Sequence, residues 1–173
     1  MRKHFFEWSI FCLFFLPLSV YAQSESSRTS QVYFSPQGGC TGAIVEALSE
    51  AKSSIFVQAF SFTSNTIADV LIQAHKRGVK VEVIVDKRRK RENKKILRRL
   101  VGAGISVALD GEHKKAHNKV MIIDGKTVIT GSFNFTKESE KKNAENLLIL
   151  DDEALAREYT DNWQKHREHS KPL

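Results

Sequence analysis

Apolar runs short enough for strands alternate with amphipathic stretches long enough for helices through the first part of this chain, and few folds accept that rhythm. Residues 31–35, 54–62, 79–85 and 105–109 read as strands. Between them, 41–51 carries Ile44, Val45 and Leu48 on one side, and 65–77 carries Ile67, Val70, Leu71 and Ala74 at helical spacing before Gly78. The stretch 90–101 carries Ile96, Leu97, Leu100 and Val101 and is ended by Gly102 and Gly104. The rest adds strands without crossover helices: 117–123, a hairpin at Asp124-Gly125, then 146–150 beside it, with 152–166 as a closing helix containing Leu155, Tyr159 and Trp163. The expected fold class is α/β, a mixed β-sheet flanked by helices on both faces, in one domain spanning 31–170. Phe56, Phe60 and Phe62 alternate along 54–62 and are expected in the core, and the polar stretch 136–142 is expected as a solvated loop.

The chemistry concentrates in the hairpin, where His117, Lys119, Asp124, Gly131, Ser132 and Asn134 follow the spacing H-x-K-x4-D-x6-G-S-x-N. Residues two apart on a strand share a face, so His117 lies with Lys119 and Ser132 with Asn134. If Ile123 pairs with Lys126 around a two-residue loop, His117 falls opposite Ser132 and Lys119 beside Thr130; a shift of two places His117 opposite Asn134 and still gathers the four polar groups. Alone, each residue has an ordinary reading: a satisfied His, a solvated Lys, a Gly-Ser turn. Together they bring an imidazole, an ammonium, a hydroxyl and a carboxamide to one place, which suits a phosphate.

This array resembles the H-x-K-x4-D signature, with its trailing Gly-Ser-x-Asn, of the phospholipase D superfamily, and the likeness runs from Tyr33-Phe34-Ser35-Pro36 through 143–150. The resemblance implies two-step phosphodiester cleavage through a phosphohistidine, performed by two copies of the motif across a two-fold axis. This chain carries one copy, so it is similar to the small single-motif bacterial endonucleases of the family, which complete the site by homodimerisation. His117 is the expected nucleophile, with Lys119, Ser132 and Asn134 on the non-bridging oxygens and His117 of the partner subunit as proton donor.

Glu145 is the preferred acceptor to orient His117, ahead of Glu138 and Glu140 in the polar stretch. Asp124 and Gly131 are expected to be structural, Asp124 because strand parity turns it away from His117 and the hairpin gives it a turn-forming role. No metal or cofactor is expected. The acids are scattered, and His166 and His169 read as a solvated pair rather than a metal clasp. His75 and His113 read as surface residues, His113 with a lesser claim to the mouth of the site.

Arg2, Lys3, a short apolar stretch 10–20 and Val20-Tyr21-Ala22 resemble a cleavable signal peptide over 1–22, with 23–30 as a polar linker. The apolar stretch is shorter than the ~20 residues that span a bilayer, so no stable membrane insertion is expected after its removal. The expected location is therefore secreted or periplasmic. Cys40, alone after Cys12 departs, is expected to be a small buried residue near a helix start. The formal charge is +7 and is unevenly spread, with Lys87 to Arg91 unbroken and Lys94, Lys95, Arg98 and Arg99 following. Arg88, Arg89, Lys94 and Lys95 are the expected nucleic-acid contacts, to phosphate rather than to bases. The leading expectation is a metal-independent endonuclease on DNA, with RNA as a further substrate. A lipid headgroup hydrolase and an inactive nucleic-acid-binding protein are the alternatives.

Overall fold

The computed structural model describes residues 29–173; the signal peptide expected over 1–22 lies outside them. Eight strands form one sheet: β1 (Thr29–Ser35), β2 (Ser54–Ala59), β3 (Lys80–Asp86), β4 (Ser106–Asp110), β5 (Lys119–Ile123), β6 (Thr127–Gly131), β7 (Glu145–Asp151) and β8 (Lys171–Pro172). Their order is β1-β7-β6-β5-β2-β3-β4-β8, with β2, β3 and β4 parallel and the other pairings antiparallel. Five helices cover it: α1 (Cys40–Glu50), α2 (Asn65–Lys76), α3 (Lys90–Gly102), α4 (Lys137–Lys141) and α5 (Glu153–His169). Among the described residues no helix is long and apolar enough to cross a membrane.

The period of two along the strands sorts the sheet into two cores. Ile55, Val57, Val81, Val83, Val107, Met121, Ile129 and Leu147 pack with Ile44, Leu48, Ile67, Leu71, Ile96 and Leu100 of α1, α2 and α3. On the other face Ile84, Val120, Ile122 and Val128 pack with Ala156 and Trp163 of α5. The Trp163 indole N–H donates to the Val57 carbonyl at 3.1 Å and its ring stacks on Phe56 at 4.7 Å, so Phe56 and Phe62 serve opposite cores. Cys40 opens α1 and is fully buried.

Several boundaries differ from expectation for physical reasons. The stretch 136–142 contains α4, begun by Thr136, whose hydroxyl accepts from Ser139 N at 3.0 Å. Glu140 on α4 is not solvated: its carboxylate accepts from Gly39 N at 3.2 Å and Thr41 N at 2.7 Å, using the free amides at the start of α1. Asp152 caps α5 through Ala154 N and Leu155 N, and that helix runs three residues beyond the expected end before the chain returns to pair β8 with β4. β1 begins at Thr29, inside the expected linker.

The hairpin register is the main correction. Asp124 and Gly125 have φ of 53° and 63°, and Lys126 N donates to Ile123 O at 3.0 Å, as a two-residue turn requires. The ladder beyond nevertheless pairs Ile123 with Thr127 and Met121 with Ile129, one residue off the expected register. Lys126 is the additional residue, and its carbonyl accepts from Asp152 N. A second irregularity follows at the far end of β6, where Ser132 N and Phe133 N both donate to Asn146 O, at 3.1 and 3.2 Å. Two residues facing one is a β-bulge, and it re-aims the side chains that follow.

Candidate active site

The site lies where the parallel strands end, the edge of an open α/β sheet at which ligands gather. Lys119 opens β5 opposite Ala59 at the end of β2, Gly131 closes β6, and Glu145 opens β7. His117 stands two residues ahead of β5, so it is a loop residue rather than the strand residue expected. Its ring rests 4.3 Å from that of Phe60, which is 7 % exposed and so both core and floor of the site.

His117, Lys119, Gly131, Ser132, Asn134 and Glu145 line one shallow depression. Lys119 is buried along its length and donates from Nζ to the His117 carbonyl at 2.7 Å, with Nδ1 and Nε2 of that ring at 3.0 and 3.3 Å. Ser132 Oγ donates to Glu145 Oε2 at 2.5 Å and accepts from Asn146 N at 3.1 Å. Glu145 Oε1 accepts from Asn143 Nδ2 at 3.1 Å. Within the single chain the carboxylate of Glu145 therefore holds Ser132 and Asn143, and no hydrogen bond joins it to His117 among the described residues. Asn134 Oδ1 is buried and has no hydrogen-bond partner among the described residues.

Gly131 makes the bulge feasible. Its φ is 141°, and a Cβ there would meet Asn146 O at 2.4 Å. Asp124 stands at the other end of β5, where its carboxylate accepts from Lys52 N (2.9 Å), Ser53 N (2.7 Å), Ser53 Oγ (2.9 Å) and Ser54 N (2.9 Å). Those bonds pin the entry to β2, the strand that carries Phe60 at its end.

The electrostatics favour a neutral imidazole. Desolvation against its neighbours, then the charges of Lys119, Lys115 and Arg89, lower the pKa of His117 below 6.5, against an opposing pull from Asp86. Lys119 is likewise lowered, by desolvation first; Glu145 opposes that shift and Arg89 adds to it.

The basic run joins this depression. Phe60, Arg88, Arg89, Lys115 and His117 line a second hollow that shares His117, and Arg88 and Lys94 line a groove continuing along α3. Arg89 lies 4.3 Å from the Phe60 ring and pairs with Glu92 at 2.6 Å, while Arg88 donates to the Lys114 carbonyl. Lys95 is exposed on α3 and lines neither hollow.

Two residues that sequence reading did not single out fix this geometry. Asp86, at the end of β3, accepts from Arg88 N at 2.8 Å, Arg89 N at 3.3 Å and Ala116 N at 2.7 Å, tying the basic turn to the segment ahead of His117. Asn93 is fully buried, accepts from Phe62 N at 2.8 Å and donates to Phe60 O at 3.1 Å, which docks α3 against the end of β2. A polar residue within the apolar-periodic part of α3 was the available signal for Asn93.

One expectation about the other histidines is overturned. His166 and His169 are not a solvated pair: their side chains are 13 % and 29 % exposed, and both face the buried carboxylate of Asp110. His113 faces the same carboxylate and lines neither hollow. His75 is half-buried, with Nδ1 enclosed.

Residues 44–167 match the family described as cardiolipin synthase, PLD-like domain. A protein of Rickettsia prowazekii named phospholipase D is 42% identical over 147 residues, which are 84% of this chain and 72% of the relative. A crystal structure of Nuc from Salmonella typhimurium, described as a phospholipase D family member, superposes with a TM-score of 0.82 at 35% identity, covering 84% of this chain and 98% of that one. NucT from Helicobacter pylori superposes with a TM-score of 0.74 at 25% identity, covering 84% and 99%.

Proposed function

The chain belongs to the phospholipase D superfamily of phosphodiesterases, and from that premise we propose that it is a metal-independent endonuclease of low sequence specificity, acting on DNA and also on RNA through a homodimeric site. The observation that carries this reading is the depression itself: His117, Lys119, Ser132, Asn134 and Glu145 meet there, and only one imidazole is among them.

Neutral His117 attacks phosphorus, forming a P–N bond as the P–O ester bond breaks. Lys119, Ser132 and Asn134 stabilise the charge that builds on the non-bridging oxygens. Glu145 positions Ser132. The leaving oxygen takes its proton from an imidazolium, and among the described residues of one chain the depression holds no second imidazole. We assign that role to His117 of the partner subunit. Neutral after donating, it deprotonates the water that attacks phosphorus and breaks the P–N bond, and both rings return to their starting states. Val32 and Phe34 on the edge strand β1 are 55% and 63% exposed, and Phe34 shares a hollow with Ser132 and Glu145, which suits an apolar seat for a second copy beside the site.

The basic groove reaching His117 through Arg88 and Arg89 supports a polyanionic substrate. The matches to Nuc and NucT, spanning nearly all of each, support the nuclease reading. The signal-like residues 1–22 favour an enzyme that works outside the cytoplasm, secreted or periplasmic. The lipid reading draws its support from the name of the rickettsial relative. A binding protein without activity is disfavoured by the intact depression.

Plasmid DNA incubated with the mature protein in excess chelator should be nicked, and His117→Ala should not nick it. Phosphatidylcholine vesicles run alongside should stay intact. Nicking that requires added Mg2+ would overturn the metal-free mechanism, and vesicle hydrolysis with intact plasmid would transfer the assignment to lipid.

A further inference from the structure

We propose that Asp110, His113, His166 and His169 bind one divalent transition-metal cation of the zinc class, at a structural site separate from the phosphate-facing depression. Three segments supply the ligands. Asp110 ends β4, His113 lies on the loop leaving it, and His166 and His169 stand three apart on the last turn of α5, hence on one face of that helix.

The geometry is close to what such an ion requires. His166 Nδ1 is 2.7 Å from Asp110 Oδ2, His169 Nε2 is 3.2 Å from the same oxygen, and His113 Nδ1 is 3.4 Å from it. One ligand atom from each residue fits within 4.8 Å of every other. A tetrahedral zinc ion with bonds of about 2.0–2.2 Å sets its ligand atoms ~3.3–3.5 Å apart, so only small rotations of the rings would close the shell. Three imidazoles and one carboxylate make a borderline donor set, suited to Zn2+ or Co2+ and poorly suited to Mg2+ or Ca2+, which take oxygen.

The surroundings support a ligand role over a plain hydrogen-bonded cluster. The Asp110 side chain is fully buried; Oδ1 accepts from Glu112 N at 3.1 Å and lies 3.4 Å from His113 Nδ1, while Oδ2 faces all three rings. Among the described residues His169 Nε2 is buried and makes no hydrogen bond, although it faces that oxygen. His113 is 46% exposed and gives an ion a way in. After His169 the chain pairs Lys171 and Pro172 with Leu109 and Ala108, which keeps the end of α5 at the end of β4. A bound cation would fasten α5 to the loop that continues to His117, with no part in the bond-breaking steps.

The test uses the mature protein without a histidine tag, stripped by chelator and titrated with Zn2+, Co2+, Mg2+ and Ca2+. Zn2+ should bind one per chain and raise Tm, Co2+ should do likewise with the visible absorption of a four-coordinate ion, and Mg2+ and Ca2+ should do neither. His166→Ala with His169→Ala should abolish binding. Because that double variant removes packing as well, His113→Ala, at the surface, serves as the second probe and should weaken Zn2+ binding by about tenfold or more. Equal responses to Zn2+ and Mg2+, or Zn2+ binding unchanged in both variants, would leave a hydrogen-bonded cluster only and overturn the proposal. Plasmid nicking by the double variant in chelator reads catalysis alone, so failure here and failure of the nuclease reading give different results.

Discussion

Arg89 and His117 are coupled through one ring: the guanidinium lies 4.3 Å from the centre of Phe60, and the imidazole of His117 lies 4.3 Å from the same centre. Arg89 is among the charges that lower the pKa of His117, after desolvation, Lys119 and Lys115. A nucleophilic imidazole must be neutral and its partner protonated, so kcat/KM should follow a bell in pH, with an acidic limb held low by desolvation and then by Lys119, Lys115 and Arg89. Arg89→Gln should move that acidic limb to higher pH, because a cation opposing protonation is gone. A pH profile separates this shift from any uniform loss of substrate binding, and an unmoved limb would contradict the coupling.

Asp124 is far from the chemistry and should act on stability. Asp124→Ala leaves Lys52 N, Ser53 N, Ser53 Oγ and Ser54 N without their acceptor, at a cost of about 1–3 kcal/mol once water reaches the half-exposed turn. The carboxyl sits below its ordinary pKa of 3.8 because those four bonds outweigh desolvation, the largest single influence. A depressed carboxylate contributes stability above its unfolded pKa and loses it as pH falls through the folded one. Urea unfolding should therefore show the gap between wild type and variant at neutral pH and its closure in acid.

Gly131→Ala should damage site and fold together. The methyl would stand 2.4 Å from Asn146 O at a φ of 141°, so the bulge must open, at about 2 kcal/mol or more. Ser132 would then lose its place against Glu145, and kcat should fall more than KM rises. An active variant of wild-type Tm would contradict this.

Charge reversal at Arg88 and Lys94 tests the groove. Binding to a DNA duplex should weaken, and the slope of log K against log salt should flatten by about 0.9 for each phosphate that the protein no longer neutralises. An unchanged slope would assign those residues to solvent.

The site is legible in the sequence because its chemistry is local. His117, Lys119, Ser132 and Asn134 fall within one hairpin's span, and Glu145 opens the next strand. The register differs from expectation by one residue at Lys126, and the doubled position at Ser132 and Phe133 offsets that difference, so the side chains still converge. The rest depends on partners far apart in sequence. Nothing near Glu140 announces that it caps α1 a hundred residues earlier, and Asp86 reaches the segment before His117 only because β3 and β4 are parallel neighbours. His166 and His169 read as solvated for the same reason, since Asp110 is brought to them by the packing of α5 on the sheet.

The proposed sharing of two His117 rings at one phosphorus is tested by a hybrid dimer, one subunit wild type and one His117→Ala, purified through two different tags and assayed for plasmid nicking. A site built from both subunits has lost either its nucleophile or its acid in every hybrid, so nicking should fall at least about a hundredfold below wild type. A hybrid retaining about half of the wild-type rate would mean that each chain works alone, and the two-subunit mechanism would be wrong.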